Sequence, residues 1–225
     1  MTYSLAGRCP ETDRIGFAVA TSSVAVGARV GAVLPGCVVF SQARTDPRLH
    51  RVGLRAFEGG ADAAGVLEAM QTAAHAPHWR QLGVLTMQGD GVHHTGTSCL
   101  EHADGLTGTD CLAIGNFLGS AEVLPEMVRG FEEGSGTLEQ RLLAGMLAGE
   151  AAGRERDPLQ SAFLVVMGPD ELKDTDLRID DSRTPLQDVA ALYADWAPKS
   201  EAYRLRAVDP DSAPSSSVIE GASPA

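Results

Sequence analysis

The stretch RIGFAVA, residues 14–20, constrains the fold more than any other part of the chain. In an extended conformation Ile15, Phe17 and Val19 fall on one face and Gly16, Ala18 and Ala20 on the other, so neither face is made for water. Such a strand has to be covered on both sides. With 225 residues, 44% of them hydrophobic and 21% charged, the chain is long enough to supply one sizeable core and the layers around it.

The neighbouring segments say what those layers are. TYSLAG precedes RIGFAVA across RCPETDR, where Pro10 and Asp13 supply turn chemistry, so residues 2–8 and 14–22 are expected to form a hairpin. VAVGARVGAV and CVVFSQA, broken by LPG, are further strand candidates. The period then changes to three and four, giving helices over 47–58 and 61–75. WRQLGVLTMQ, GVHHTGT and CLAIGN read as strands. Two helices follow, one stacking Val123, Leu124, Met127, Val128 and Phe131 and the other Leu138, Leu142, Leu143, Met146 and Leu147. SAFLVVM and DTDLRID return to strand, and Pro185 opens a last helix in PLQDVAALYADWAP. Strands in runs with helices inserted as pairs argue against alternating βαβ units. The expected class is α+β: a four-layer α-β-β-α sandwich of two antiparallel sheets flanked by helix pairs, forming one domain over 1–208. The Ser/Pro/Ala-rich 209–225 is expected to be a disordered tail.

A formal net charge of −12 disfavours nucleic acid and anionic membrane surfaces as partners. Cys9, Cys37, Cys99 and Cys111 show no C-x-x-C spacing and read as reduced thiols of a cytoplasmic protein. No apolar run is long enough to span a membrane, and the N-terminus lacks the basic-then-apolar order expected of a signal peptide. A residue as small as threonine at position two permits removal of Met1, which makes Thr2 the first residue.

MTYSLAGRCPETDRIGFAVATS, AVGARVG, FSQARTDPRLHRVGL, RQLGVL, HTGTSC, AIGNFL and DLRID, in this order and spacing, resemble the bacterial family DUF1028, placed among the N-terminal nucleophile (Ntn) hydrolases. The resemblance runs from Thr2 to about Asp180. It implies a four-layer sandwich in which the first residue of the first strand is the nucleophile, and it supplies a mechanism class without a substrate. A threonine hydroxyl needs a base, and a free α-amine with a reference pKa of roughly 7.7–8.0 serves as one near neutral pH. Thr2 then attacks an amide carbonyl and forms an acyl-enzyme that water resolves, with no cofactor and no metal.

The same resemblance nominates the neighbours of Thr2. The strand after the first hairpin ends beside the nucleophile, at Thr21 and Ser22. Arg29 occupies the place of a third-strand basic residue that lowers the amine pKa, or is an ordinary surface arginine. Asp157 and Ser161 resemble the pair that orients the terminal amine, or are a loop aspartate and a strand-starting serine. Two strand-to-helix junctions offer oxyanion donors. In SQARTDP these are Gln42 and the backbone around Ala43, with Arg44, Thr45 and Asp46 lining the substrate side, while Asp46 before Pro47 also reads as a helix cap. In GNFLGS, Gly115 permits close approach and Asn116 offers an amide to amine or oxyanion, or is a plain turn residue.

His75, His78, His93, His94 and His102 carry no credible zinc spacing, because Pro77 breaks the helix and adjacent strand residues point apart. His50 is a possible substrate contact. Two functions are compatible with the chain: an Ntn amidohydrolase for a small amide, or a small-molecule binder on the same fold without catalysis. The expected partners are that small molecule and a second copy of the chain, as a homodimer.

Overall fold

In a computed structural model, residues 2–221 are described and fold into two antiparallel sheets and their covering helices. The chain runs β1 (Thr2–Cys9), β2 (Arg14–Thr21), a 3-10 turn at Val26–Ala28, β3 (Gly31–Leu34) and β4 (Cys37–Ala43). Helices α1 (Arg48–Glu58) and α2 (Ala63–Ala73) come next, then β5 (Arg80–Thr86), β6 (Val92–Thr95), β7 (Asp104–Gly108) and β8 (Cys111–Asn116). The rest is α3 (Val123–Glu133), α4 (Leu138–Ala151), β9 (Ser161–Met167), β10 (Lys173–Ile179), α5 (Pro185–Val208) and α6 (Ser216–Ile219). One sheet has the order β10-β9-β2-β1-β8-β7 and the other β3-β4-β5-β6.

Three separate apolar clusters mark three interfaces between four layers. Tyr3, Leu5, Met127, Phe131, Leu142, Met146 and Leu164 join the six-stranded sheet to α3, α4 and α5. Phe17, Phe40, Ile114 and Phe163 lie between the sheets, with the Phe17 ring edge-on to Phe40 at 5.1 Å and to Phe163 at 5.5 Å. Val39, Leu49, Val66, Met70 and Leu82 join the four-stranded sheet to α1 and α2. The RIGFAVA strand is divided as its alternation requires. Ile15, Phe17 and Val19 fill the space between sheets, while Ala18 and Ala20 face the helices. Small residues let the helix layer come close: a Cβ on Gly145 of α4 would lie 2.4 Å from Leu5 Cδ2 and 2.7 Å from the Met127 carbonyl.

The structure departs from the sequence expectations in four places. The VAVGARVGAV candidate supplies only β3, because residues 26–28 turn and Arg29 closes that turn. Strand β7 has no apolar alternation to announce it; it is an exposed edge strand held by backbone pairing to β8. The last helix runs through Pro198 to Val208. Where a structureless tail is expected, residues 209–221 hold α6, tied back by Glu220 accepting from Tyr203 Oη at 2.5 Å and from Lys199 Nζ at 3.1 Å. Met1 and residues 222–225, which carry the expectations of methionine removal and of the tail's end, lie outside the described residues. No helix among the described residues is long and apolar enough to cross a membrane.

Candidate functional site

The inter-sheet space is apolar at its centre and polar at one end. Pairing places Thr2 opposite Asn116 on β8 and Thr21 opposite Ser161 on β9. Thr2 Oγ1 donates to Thr21 Oγ1 at 3.3 Å, so Asn116, Thr2, Thr21 and Ser161 form one row across the four central strands β8-β1-β2-β9. Each lies two or four positions from a residue of the inter-sheet cluster, Ala6, Val19, Ile114 or Phe163, and shares its strand face, so the row faces the four-stranded sheet. All four are buried.

The opposite sheet answers with two carboxamides. Gln42 and Gln81 pair across β4 and β5, and both are fully buried. Gln42 Nε2 donates to Gln81 Oε1 at 2.8 Å and to the Thr2 carbonyl at 3.4 Å, and its Oε1 accepts from Ser4 at 2.7 Å. Gln81 Oε1 also accepts from Asn116 Nδ2 at 3.0 Å, while Gln81 Nε2 donates to the Gly115 carbonyl at 2.7 Å and to Thr95 Oγ1 at 3.0 Å. The oxyanion role expected of Gln42 therefore does not fit, because its amide hydrogens are spent inside this network. Asn116 has given one of its two amide hydrogens to Gln81.

Beside Asn116 the row opens on a pocket of about 260 Å³, walled by Ala43, Arg44, Trp79, Ser98, Cys99 and Leu100. Ala43 sits at φ 67°, in the left-handed region, and turns the chain out of β4. The Arg44 guanidinium lies 3.8 Å over the Trp79 ring. Asp46 does not reach this wall: its carboxylate holds Arg48 at 2.8 Å and the Arg48 amide at 3.2 Å, and that pairing keeps its pKa down at about 2. It stands just before α1, whose N-cap is Pro47, and its own amide donates to Ser41 Oγ.

Arg29 and Asp157 are not brought to Thr2 by anything in the geometry. Arg29 lies outside the third strand; its guanidinium holds the Val24 carbonyl, the Ala25 carbonyl at 2.7 Å and Ser23 Oγ at 2.6 Å, clamping the loop after β2. Ser161 anchors the same loop, donating to the Ser23 carbonyl at 2.6 Å and accepting from Val26 at 3.1 Å. Ser22 begins that loop, half-buried. Asp157 is exposed. Two residues earlier Glu155 is buried, 1% exposed, with no hydrogen-bond partner of ordinary geometry on either oxygen. Burial pushes its carboxyl up to about 7; Ser22, close by without a well-formed bond, works against that shift and Asp157 adds to it. Tyr3 Oη is buried and unpartnered too, and burial together with Glu150 and Glu155 raises its pKa. Sequence reasoning missed Glu155, Gln81 and the pocket wall of Trp79, Ser98, Cys99 and Leu100. Gln81 carried a signal, a glutamine on the same strand face as Gly83 and Leu85. Glu155 carried none in the charged stretch GRERD.

His50 is not at the pocket; it is buried under α1 with Nε2 3.1 Å from the Val30 carbonyl. Among the described residues no group of three or more His, Cys, Asp or Glu could hold a metal ion, and the four cysteines are free.

Fold and site together define a four-layer α+β sandwich with hydroxyls and amides gathered at the open end between its sheets. Residues 2–189 match the family of unknown function DUF1028, and the chain belongs to that family. It is similar to the crystal structure of protein SPO2555 from Silicibacter pomeroyi, also described as DUF1028, with a TM-score of 0.80 and 29% identity over 86% of this chain and 88% of that one. Among proteins of curated function no similar sequence is found.

Proposed function

We propose that the protein is an Ntn-type amidohydrolase in which Thr2, once Met1 has been removed, is the nucleophile. The observation that carries this reading is the place of Thr2: the head of a central strand, in a buried polar row, paired with Asn116, which lines a small pocket. Thr2 Oγ attacks the amide carbonyl as its proton passes to the Thr2 α-amine. The second amide hydrogen of Asn116 supports the oxyanion. The C–N bond breaks, the leaving amine takes the proton from the α-ammonium, and water then cleaves the Thr2 ester. Glu155, buried two residues before Asp157, takes over the amine-orienting role expected of Asp157, and Ser161 acts by holding the loop that carries Ser22 and Ser23.

Intact-mass spectrometry of protein from its own host should find Met1 absent. In a screen of small amides, an acyl adduct should form on Thr2, with Thr2→Ala inactive though folded and Thr2→Ser partly active. Acetylating the N-terminus should be as damaging as Thr2→Ala, because it removes the base and spares the hydroxyl. Methionine retained on most molecules, or wild-type turnover by an N-terminally extended form, would sink this reading and favour a binder without catalysis.

A further inference from the structure

We infer that the pocket beside Asn116 selects a small ligand carrying a carboxylate, with Arg44 as the residue that recognises it; the further step, that the ligand is an amide substrate, rests on the reading of Thr2 above. Arg44 lines the pocket, and Arg80 at the start of β5 supports it from behind. Arg80 donates to the Arg44 and His75 carbonyls and lies 4.0 Å from the Asp46 carboxylate. The Arg44 guanidinium has no carboxylate and no hydrogen-bond acceptor among the described residues, although the chain carries a net charge of −12. Although the residue is exposed, its guanidinium carbon lies 3.8 Å from the centroid of the Trp79 ring, and the Arg44 amide donates to the Trp79 carbonyl at 3.2 Å. A stacked guanidinium keeps its in-plane N–H groups for a planar, bidentate acceptor, which a carboxylate is. The wall contains no acidic side chain to compete, and Trp79, Leu100 and Ala43 leave an apolar surface for the rest of the ligand. A volume of about 260 Å³ admits a small molecule and excludes a polymer segment.

The test uses full-length Thr2→Ala protein, so that binding is read without turnover. Calorimetric titration compares N-acetyl-leucine with N-acetyl-leucinamide, which differ only in the charge of one end, alongside a panel of other short N-acyl amino acids and their amides. The acids should bind roughly tenfold more tightly than their amides. Arg44→Gln should bring each acid down to the level of its amide and leave the amides unchanged, and Arg44→Lys should keep part of the preference. Equal binding of acids and amides, an unchanged preference in Arg44→Gln, or no carboxylate bound at millimolar concentration would each overturn the inference. Because Thr2 is absent, these outcomes are independent of whether Thr2 is a nucleophile.

Discussion

Two buried residues give the molecule opposing responses to acid. Glu155 is held at about 7 in the fold against an ordinary 4.5, so the folded chain binds more protons than the unfolded one between those values. Its contribution is full below about 4.5 and is lost as the pH rises toward 7. His50 has the reverse sign. Burial, opposed by the Val30 carbonyl and Asp46, lowers it to about 4 from 6.5, so its contribution is present above about 6.5 and is lost as the pH falls toward 4. The two slopes offset each other over their shared range, and single variants separate them. In urea titrations from about pH 5 to about pH 8, Glu155→Gln should remove the loss on the alkaline side, and His50→Gln the loss on the acid side. A pH profile unchanged in Glu155→Gln would mean that its carboxyl titrates normally.

Helix α4 shows what an element takes from sequence alone. Thr137 Oγ1 accepts from the Gln140 amide at 3.3 Å and Gln140 Oε1 accepts from the Thr137 amide at 2.8 Å, a reciprocal cap written in the sequence as T-x-x-Q. Thr137 Oγ1 also meets Tyr193 Oη at 2.7 Å and so ties α4 to α5. Thr137→Ala should cost about 1–2 kcal/mol, seen as a lower urea midpoint with the slope unchanged; a loss below about 0.3 kcal/mol would show that neither bond matters. Apolar period made the helix pairs and most inner strands legible. It failed for β7, whose side chains are mostly exposed and whose existence depends on pairing with β8, from Gly108 opposite Cys111 to Asp104 opposite Gly115. The site was legible where a strand end fixes a residue, as at Thr2, Thr21 and Asn116. It was not legible where a loop decides, so that Asp157 rather than Glu155 was chosen from GRERD.

At the scale of the molecule, the sheets meet through aromatic and aliphatic packing except at the polar end, where Gln42 and Gln81 carry the hydrogen bonds. A glutamine in a strand ordinarily marks a wet face; here β4 and β5 are buried at these positions, and the glutamines instead mark the seam. Gln81→Leu would strip partners from the Gly115 carbonyl, Asn116 Nδ2 and Gln42 Nε2. It should cost on the order of 3 kcal/mol in chemical denaturation, and a loss under about 1 kcal/mol would show that the network has slack. The pocket wall is built differently from the row. Arg44, Trp79 and Ser98–Leu100 lie outside the strands, held by backbone bonds from Arg44 to Trp79, Ser98 to His78 and Cys99 to Gly96, with Arg80 of β5 donating to the Arg44 carbonyl. A wall built this way can change by exchange of three short segments, while the row beneath it stays fixed by the sheets. Relatives sharing this architecture are free to diverge in what they accept without rebuilding it.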